Sequence, residues 1–221
     1  LAADVLDGLL DPLEQRLQLG EARLSGHPGS LPADTGHVTR LDAAWAACPR
    51  TVFLPRSQLR SAARDAPLPI GHGQTNSQPS TVRRMLEELD VHPGQRVLDV
   101  GSGSGWTTAL LAHLVGPSGS VLGLDRVPAL VASGAAALAR MGMPWAAIEA
   151  AAPGVLGAPH LAPFDRILVS AMAAQIPEEL VDQLTPVGIM VVPARGALWR
   201  VTPGEQPHRL GWYRFVPLVL D

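Results

Sequence analysis

Apolar residues near the start of the chain recur every fourth position, at Leu1, Val5, Leu9, Leu13 and Leu17, with acids between them. That period predicts an amphipathic helix, divided or kinked by Pro12. "SGHPGSLPADTGHV" (25–38) is rich in glycine, proline and serine and reads as a connection. The chain therefore divides into an N-terminal helical segment and linker, 1–38, and a main domain, 39–221. "TRLDAAWAAC" (39–48) predicts a second helix, ended by Pro49. A polar loop over 69–79 follows, then a helix over 80–91 with Pro79 suited to its first turn.

From there apolar runs of strand type alternate with helices. Strands are expected at 96–101, 120–125, 146–150 (the weakest), 165–171 and 188–194, and helices at 106–115, 128–141 and 177–184. The last apolar stretches, 198–202 and 210–219, have no helix between them and read as an antiparallel pair. Continuous apolar strands separated by helices imply an α/β fold, a doubly wound and mostly parallel sheet covered on both faces. Such a sheet binds ligands at the carboxyl ends of its strands, where the strand order reverses.

Composition narrows the function classes. The 221 residues are 47% hydrophobic and 17% charged, with a formal net charge of −3. No basic stripe marks a nucleic-acid binder. No apolar run approaches the roughly 18 residues of a membrane span. The acids within the first apolar stretch argue against a signal peptide, and a start other than Met suggests a trimmed chain. One cysteine, Cys48, allows no intrachain disulfide. It fits a reducing, cytoplasmic setting and, among small apolar neighbours, reads as a buried structural thiol. The seven histidines are scattered without metal-ligand spacing, so no metal is expected.

"VLDVGSGSGW" sets Gly101, Gly103 and Gly105 directly after a strand and before a helix. Glycines there permit a tight turn and close approach of a ligand to the backbone. The dinucleotide fingerprint would need its last glycine at Trp106, and a phosphate-binding loop would need a lysine that is missing here. Asp99 precedes the glycines by two residues, and Asp125 closes the next strand 20 residues after Gly105. A carboxylate at that point can accept both hydroxyls of a ribose. Acids on both sides without a lysine suit a ligand with a ribose and a cationic end, such as S-adenosylmethionine.

The stretches "CPRTVFLP" (48–55), "PLPIGHGQTNSQP" (67–79), "HPGQRVLDVGSGSG" (92–105), "APFDRILVSA" (162–171), "IPEELVDQL" (176–184) and "FVPL" (215–218) resemble, in order, the protein-L-isoaspartate O-methyltransferases. The resemblance runs from about Ala44 to Leu218 and leaves 1–38 as an addition. It implies a Rossmann-like class I methyltransferase fold. It also implies methyl transfer from S-adenosylmethionine to the α-carboxylate of L-isoaspartyl residues in damaged proteins or peptides. The ester then closes to a succinimide without the enzyme, and hydrolysis returns some aspartate.

By this resemblance Ser77 is the catalytic residue, its hydroxyl bonding the substrate carboxylate beside the donor methyl. The substrate side would be His72, Gln74, Thr75 and Asn76. The donor would lie on Asp99, Gly101, Ser102, Gly103, Gly105, Asp125 and Arg126. For Ser77 a helix-capping role is the plainer alternative, since it lies just before Pro79.

Two departures stand out. "EAAAPGVLG" places Pro153 where the family carries an aspartate that meets the adenine amine, with Glu149 as a substitute. Asn76 takes a position where the family often has an apolar residue, which could change the carboxylate accepted. Two further readings stay open here: methylation of an aspartate side chain in a dedicated peptide during natural-product maturation, and a degenerate domain that binds without turnover.

Overall fold

The computed structural model describes residues 39–219. The N-terminal helix and the linker expected over 1–38 lie outside the described residues, as does the test of that division.

Helix α1 (Arg40–Ala47) opens on a capping box, in which Thr39 Oγ1 accepts from the Asp42 amide and Asp42 accepts from the Thr39 amide. Two short 3₁₀ turns, Arg50–Phe53 and Arg56–Ser61, follow. The polar stretch expected as a loop is a small antiparallel hairpin, β1 (Leu68–Gly71) and β2 (Gln74–Asn76). Its connection is His72-Gly73, with φ of 53° and 71°. Two residues at positive φ twist a two-residue turn to match its strands.

After α2 (Pro79–Leu89) come β3 (Arg96–Val100), α3 (Trp106–Val115), β4 (Ser120–Asp125), α4 (Pro128–Ala139) and β5 (Ala146–Ala150). Then follow β6 (Phe164–Val169), α5 (Glu178–Val181), β7 (Leu184–Ala194), β8 (Ala197–Val201) and β9 (His208–Trp212). The main sheet has the order β5-β4-β3-β6-β7-β8-β9, parallel through β7 and antiparallel beyond it. The chain leaves β3 toward one edge and returns beside it as β6. That reversal is the place where an open α/β sheet leaves a crevice.

The core has two parts, one on each sheet face. Val97, Leu168 and Val191 pack into one cluster with Ala44, Val82, Leu110 and Ala137 from α1 to α4. Their neighbours Leu98, Ile167, Val169, Met190 and Val192 point into the other, with Leu180 of α5. Alternate side chains of one strand thus serve opposite clusters, which explains unbroken apolar runs.

Two boundaries differ from the sequence pattern. The helix expected over 177–184 keeps a single turn, because Leu184 already pairs with Phe164 in the sheet. The strand expected over 210–219 stops at Trp212. Residues 216–218 instead dock on Met172, whose N–H donates to Val216 O at 2.7 Å and whose carbonyl accepts from Leu218 N at 2.8 Å. No helix among the described residues is long and apolar enough to cross a membrane.

Candidate active site

The glycine turn sits at the carboxyl end of β3, with Gly101, Gly103 and Gly105 at φ of 78°, 54° and 87°. Gly105 illustrates why no side chain fits. A Cβ there would stand 2.6 Å from Ile148 Cδ1 and 3.2 Å from the Gly134 carbonyl. The turn is held from β4 by Asp125. Its Oδ2 accepts from Gly103 N at 2.8 Å and its Oδ1 from Val127 N at 2.9 Å.

Two cavities meet over Gly101 and Asp125. The larger, about 140 Å³, is walled by Asp125, Arg126 and the apolar Leu124, Val127, Pro153 and Leu156. The smaller, about 50 Å³, lies between the glycine turn and the hairpin and is bordered by Gln74, Thr75, Asn76 and Ser77. A third hollow continues from Thr75 and Ser77 to Ser170 and Arg214. The hairpin and the glycine turn, distant in sequence, thus face each other across one site.

Most of the expected residues converge here: Gln74, Thr75, Asn76, Ser77, Gly101, Ser102, Gly103, Asp125 and Arg126 all border the two cavities. Three stand elsewhere. His72 occupies the hairpin turn, exposed, and does not border these cavities. Gly105 is buried at the start of α3 and shapes the turn from behind. Asp99 is also one layer behind the wall, fully buried, with Oδ2 accepting from both Thr107 and Thr108 hydroxyls at 2.7 Å. Burial raises its pKa to about 6; the two threonine bonds oppose that rise and nearby Asp125 adds to it. Glu149 is exposed and outside the larger cavity, so it does not replace the missing family acid.

Ser77 is not the cap of α2. The N-cap is Gln78, which makes no side-chain capping bond, and the Ser80 amide is met by Asp65 Oδ1 at 2.9 Å. The hydroxyl beside the cavity is thus spared that task. Asn76 is buried, and its amide bonds Arg50 through Oδ1 and Ser104 through Nδ2.

Arg50 went unforeseen. It is 7% exposed and donates to six acceptors: Asn76 Oδ1 and the carbonyls of Ala62, Arg64, Ala66, Asn76 and Ser77. Its guanidinium also lies 5.4 Å from the Trp106 ring centre. Burial lowers its pKa, against the raising effect of Asp65. The only trace in the sequence is one cation inside the apolar run "AACPRTVFLP". Ser104, Ser170 and Val216 also border the smaller cavity. Val216 comes from the "FVPL" segment, which reaches the site only because it docks on Met172.

Comparison with known proteins gives a consistent set of likenesses. Residues 35–201 match the family model "Protein-L-isoaspartate(D-aspartate) O-methyltransferase". A protein-L-isoaspartate O-methyltransferase from Aeropyrum pernix is 46% identical over 161 residues, which are 72% of this chain and 62% of that protein. The one from Ignicoccus hospitalis is 40% identical over 83% of this chain and 92% of its own length. Among solved structures, one described as a Plasmodium falciparum protein-L-isoaspartate O-methyltransferase, in complex with S-adenosyl-L-homocysteine, superposes with a TM-score of 0.72. It is 26% identical and covers 82% of this chain and 91% of its own.

Proposed function

Because the chain belongs to the protein-L-isoaspartate(D-aspartate) O-methyltransferase family, we propose that it methylates the α-carboxylate of L-isoaspartyl residues in damaged proteins or peptides. S-adenosylmethionine is the proposed donor and S-adenosylhomocysteine the product. One observation carries the reading: the hydroxyl-bearing hairpin and the glycine turn with Asp125 border adjoining cavities at the reversal of the sheet.

The residues present fit this donor. Asp125 spends two acceptor positions on backbone amides. A carboxylate has about four, so two remain for a ribose diol. Leu124, Val127, Pro153 and Leu156 give the larger cavity an apolar wall suited to a flat ring. With Pro153 in place of an acid, ring selection there rests on shape and backbone carbonyls. When bound, S-adenosylmethionine supplies a methyl group already activated on a sulfonium.

The substrate carboxylate is ionised at neutral pH, so the chain needs no strong base. Ser77 donates a hydrogen bond to it, and the rigid hairpin aims one oxygen at the donor. Catalysis then rests mainly on alignment. A cytoplasmic location accompanies the reading, in keeping with a lone thiol that is buried.

Asn76 and the N-terminal segment motivated the dedicated-peptide alternative; the Asn76 amide bonds Arg50 and Ser104, and the segment lies outside the described residues. The test is incubation with methyl-labelled donor and paired isoaspartyl and aspartyl peptides. Base-labile label should enter the isoaspartyl peptide alone. Label in neither peptide, or equally in both, overturns the reading.

A further inference from the structure

Asn76 joins the two halves of the site. Its Oδ1 accepts from Arg50 Nε at 2.7 Å and its Nδ2 donates to Ser104 Oγ at 3.0 Å. An arginine only donates, so the carbonyl end of the amide must face it, and the NH₂ must face Ser104. Ser104 belongs to the glycine turn, between Gly103, whose amide bonds Asp125, and Gly105. On the other side, Arg50 Nη2 donates to the carbonyls of Asn76 and Ser77 at 3.1 and 2.8 Å.

A connected path therefore runs from Asp125 through Gly103, Ser104 and Asn76 to Arg50 and the Ser77 backbone. A second contact supports it. Ile70 Cδ1 of β1 lies 3.2 Å from where a Cβ on Gly103 would stand, so the hairpin also rests on the glycine turn. Asn76 is 4% exposed, and a buried amide bond of this kind gains strength from its dry surroundings.

We propose that the Asn76–Ser104 hydrogen bond couples donor binding to carboxylate binding, with Asn76 as a positioning residue; this rests on the functional reading above. A ligand seated on the glycine turn fixes Ser104. Ser104 fixes Asn76, and Ser77, the next residue, is set for the carboxylate. Linkage makes the effect reciprocal: each ligand tightens the other by the same factor. The factor should be about 3 to 10, the fold equivalent of one buried hydrogen bond.

The test is calorimetry of an isoaspartyl peptide with and without saturating S-adenosylhomocysteine, on the wild type, Ser104→Ala, Asn76→Asp and Asn76→Leu. The wild type should show the coupling, and Ser104→Ala should reduce it to near one. Asn76→Asp should retain it, because a carboxylate still accepts from Arg50 and can accept from the Ser104 hydroxyl. Asn76→Leu should lose it; that variant also strips Arg50 of a partner, so Ser104→Ala decides the matter if it fails to fold. A wild-type factor of one, an undiminished factor in Ser104→Ala, or loss of coupling in Asn76→Asp overturns the coupling alone. No peptide binding to the wild type overturns the functional reading, and the coupling with it.

Discussion

Asp99→Asn should stabilise the protein above neutral pH, although it removes a charge beside the glycine turn. Asp99 is fully buried, its Oδ2 is bonded to two threonine hydroxyls, and its Oδ1 has no hydrogen-bond partner among the described residues. Burial lifts its pKa from the ordinary 3.8 to about 6. Below 3.8 the carboxyl is neutral in both folded and unfolded chains and nothing is lost. Between 3.8 and 6 the unfolded chain ionises first, so stability falls as pH rises. Above the folded value the loss is complete and amounts to about 3 kcal/mol, at about 1.4 kcal/mol per unit. The amide is close in shape to the protonated carboxyl and can accept from the same two threonines. Urea unfolding of both proteins from pH 4.5 to 7.5 reads the difference. It should be small at the acid end and approach 3 kcal/mol, favouring asparagine, at the alkaline end. Asp42 and Asp65, whose pKa values are lowered by their hydrogen bonds, lose stability in the opposite direction as pH falls, and they cancel in the difference. A difference that stays constant across the range would refute the reasoning.

Three further substitutions probe other parts of the account. Ser77→Ala should lower kcat by about 100-fold, the scale for removing one oriented donor, while calorimetry with S-adenosylhomocysteine shows little change in affinity; equal loss in both would point to a structural role. Gly105→Ala forces a methyl to within 2.6 Å of Ile148 Cδ1 at a φ of 87°. It should cost on the order of 2 kcal/mol from the strained conformation alone, read as a lower melting temperature. Arg50→Lys replaces a planar fork that serves six acceptors with a single ammonium bearing three donors. It should cost on the order of 3 kcal/mol in urea unfolding, by the weight of charged hydrogen bonds; a loss below about 0.5 kcal/mol, the level of an ordinary surface change, would show that Arg50 does not hold the hairpin.

The alternating strand and helix pattern was readable because each core strand serves both faces of the sheet, leaving runs such as "ILV" (167–169) and "IMVV" (189–192) without polar interruption. The hairpin was not readable as such. Its strands are four and three residues long, and its turn depends on His72 at positive φ, which sequence does not announce. The three glycines were legible because their roles are local to one strand-turn-helix unit, and Asp125 because it closes β4, the parallel neighbour of the strand that leads into that turn. Asp99 was legible as an acid beside the glycine motif and expected to hold the donor, yet its side-chain direction, away from the cavity and toward Thr107 and Thr108, is set by α3 packing on β3. Arg50 and Ser104 escaped because their importance lies in partners far off in the chain. Arg50 reaches 27 positions along to the Ser77 carbonyl, and Ser104 meets an amide 28 positions before it. No periodicity encodes such meetings.

The most direct test of the whole account is repair itself. A pure isoaspartyl peptide is incubated with the protein and excess S-adenosylmethionine, and its isomers are separated chromatographically over many turnovers. The account expects the isoaspartyl form to decline through a succinimide while the normal aspartyl peptide accumulates, with no change when the donor is left out. An isoaspartyl peptide that persists unmethylated in the presence of donor, by a protein that binds S-adenosylhomocysteine, would contradict it.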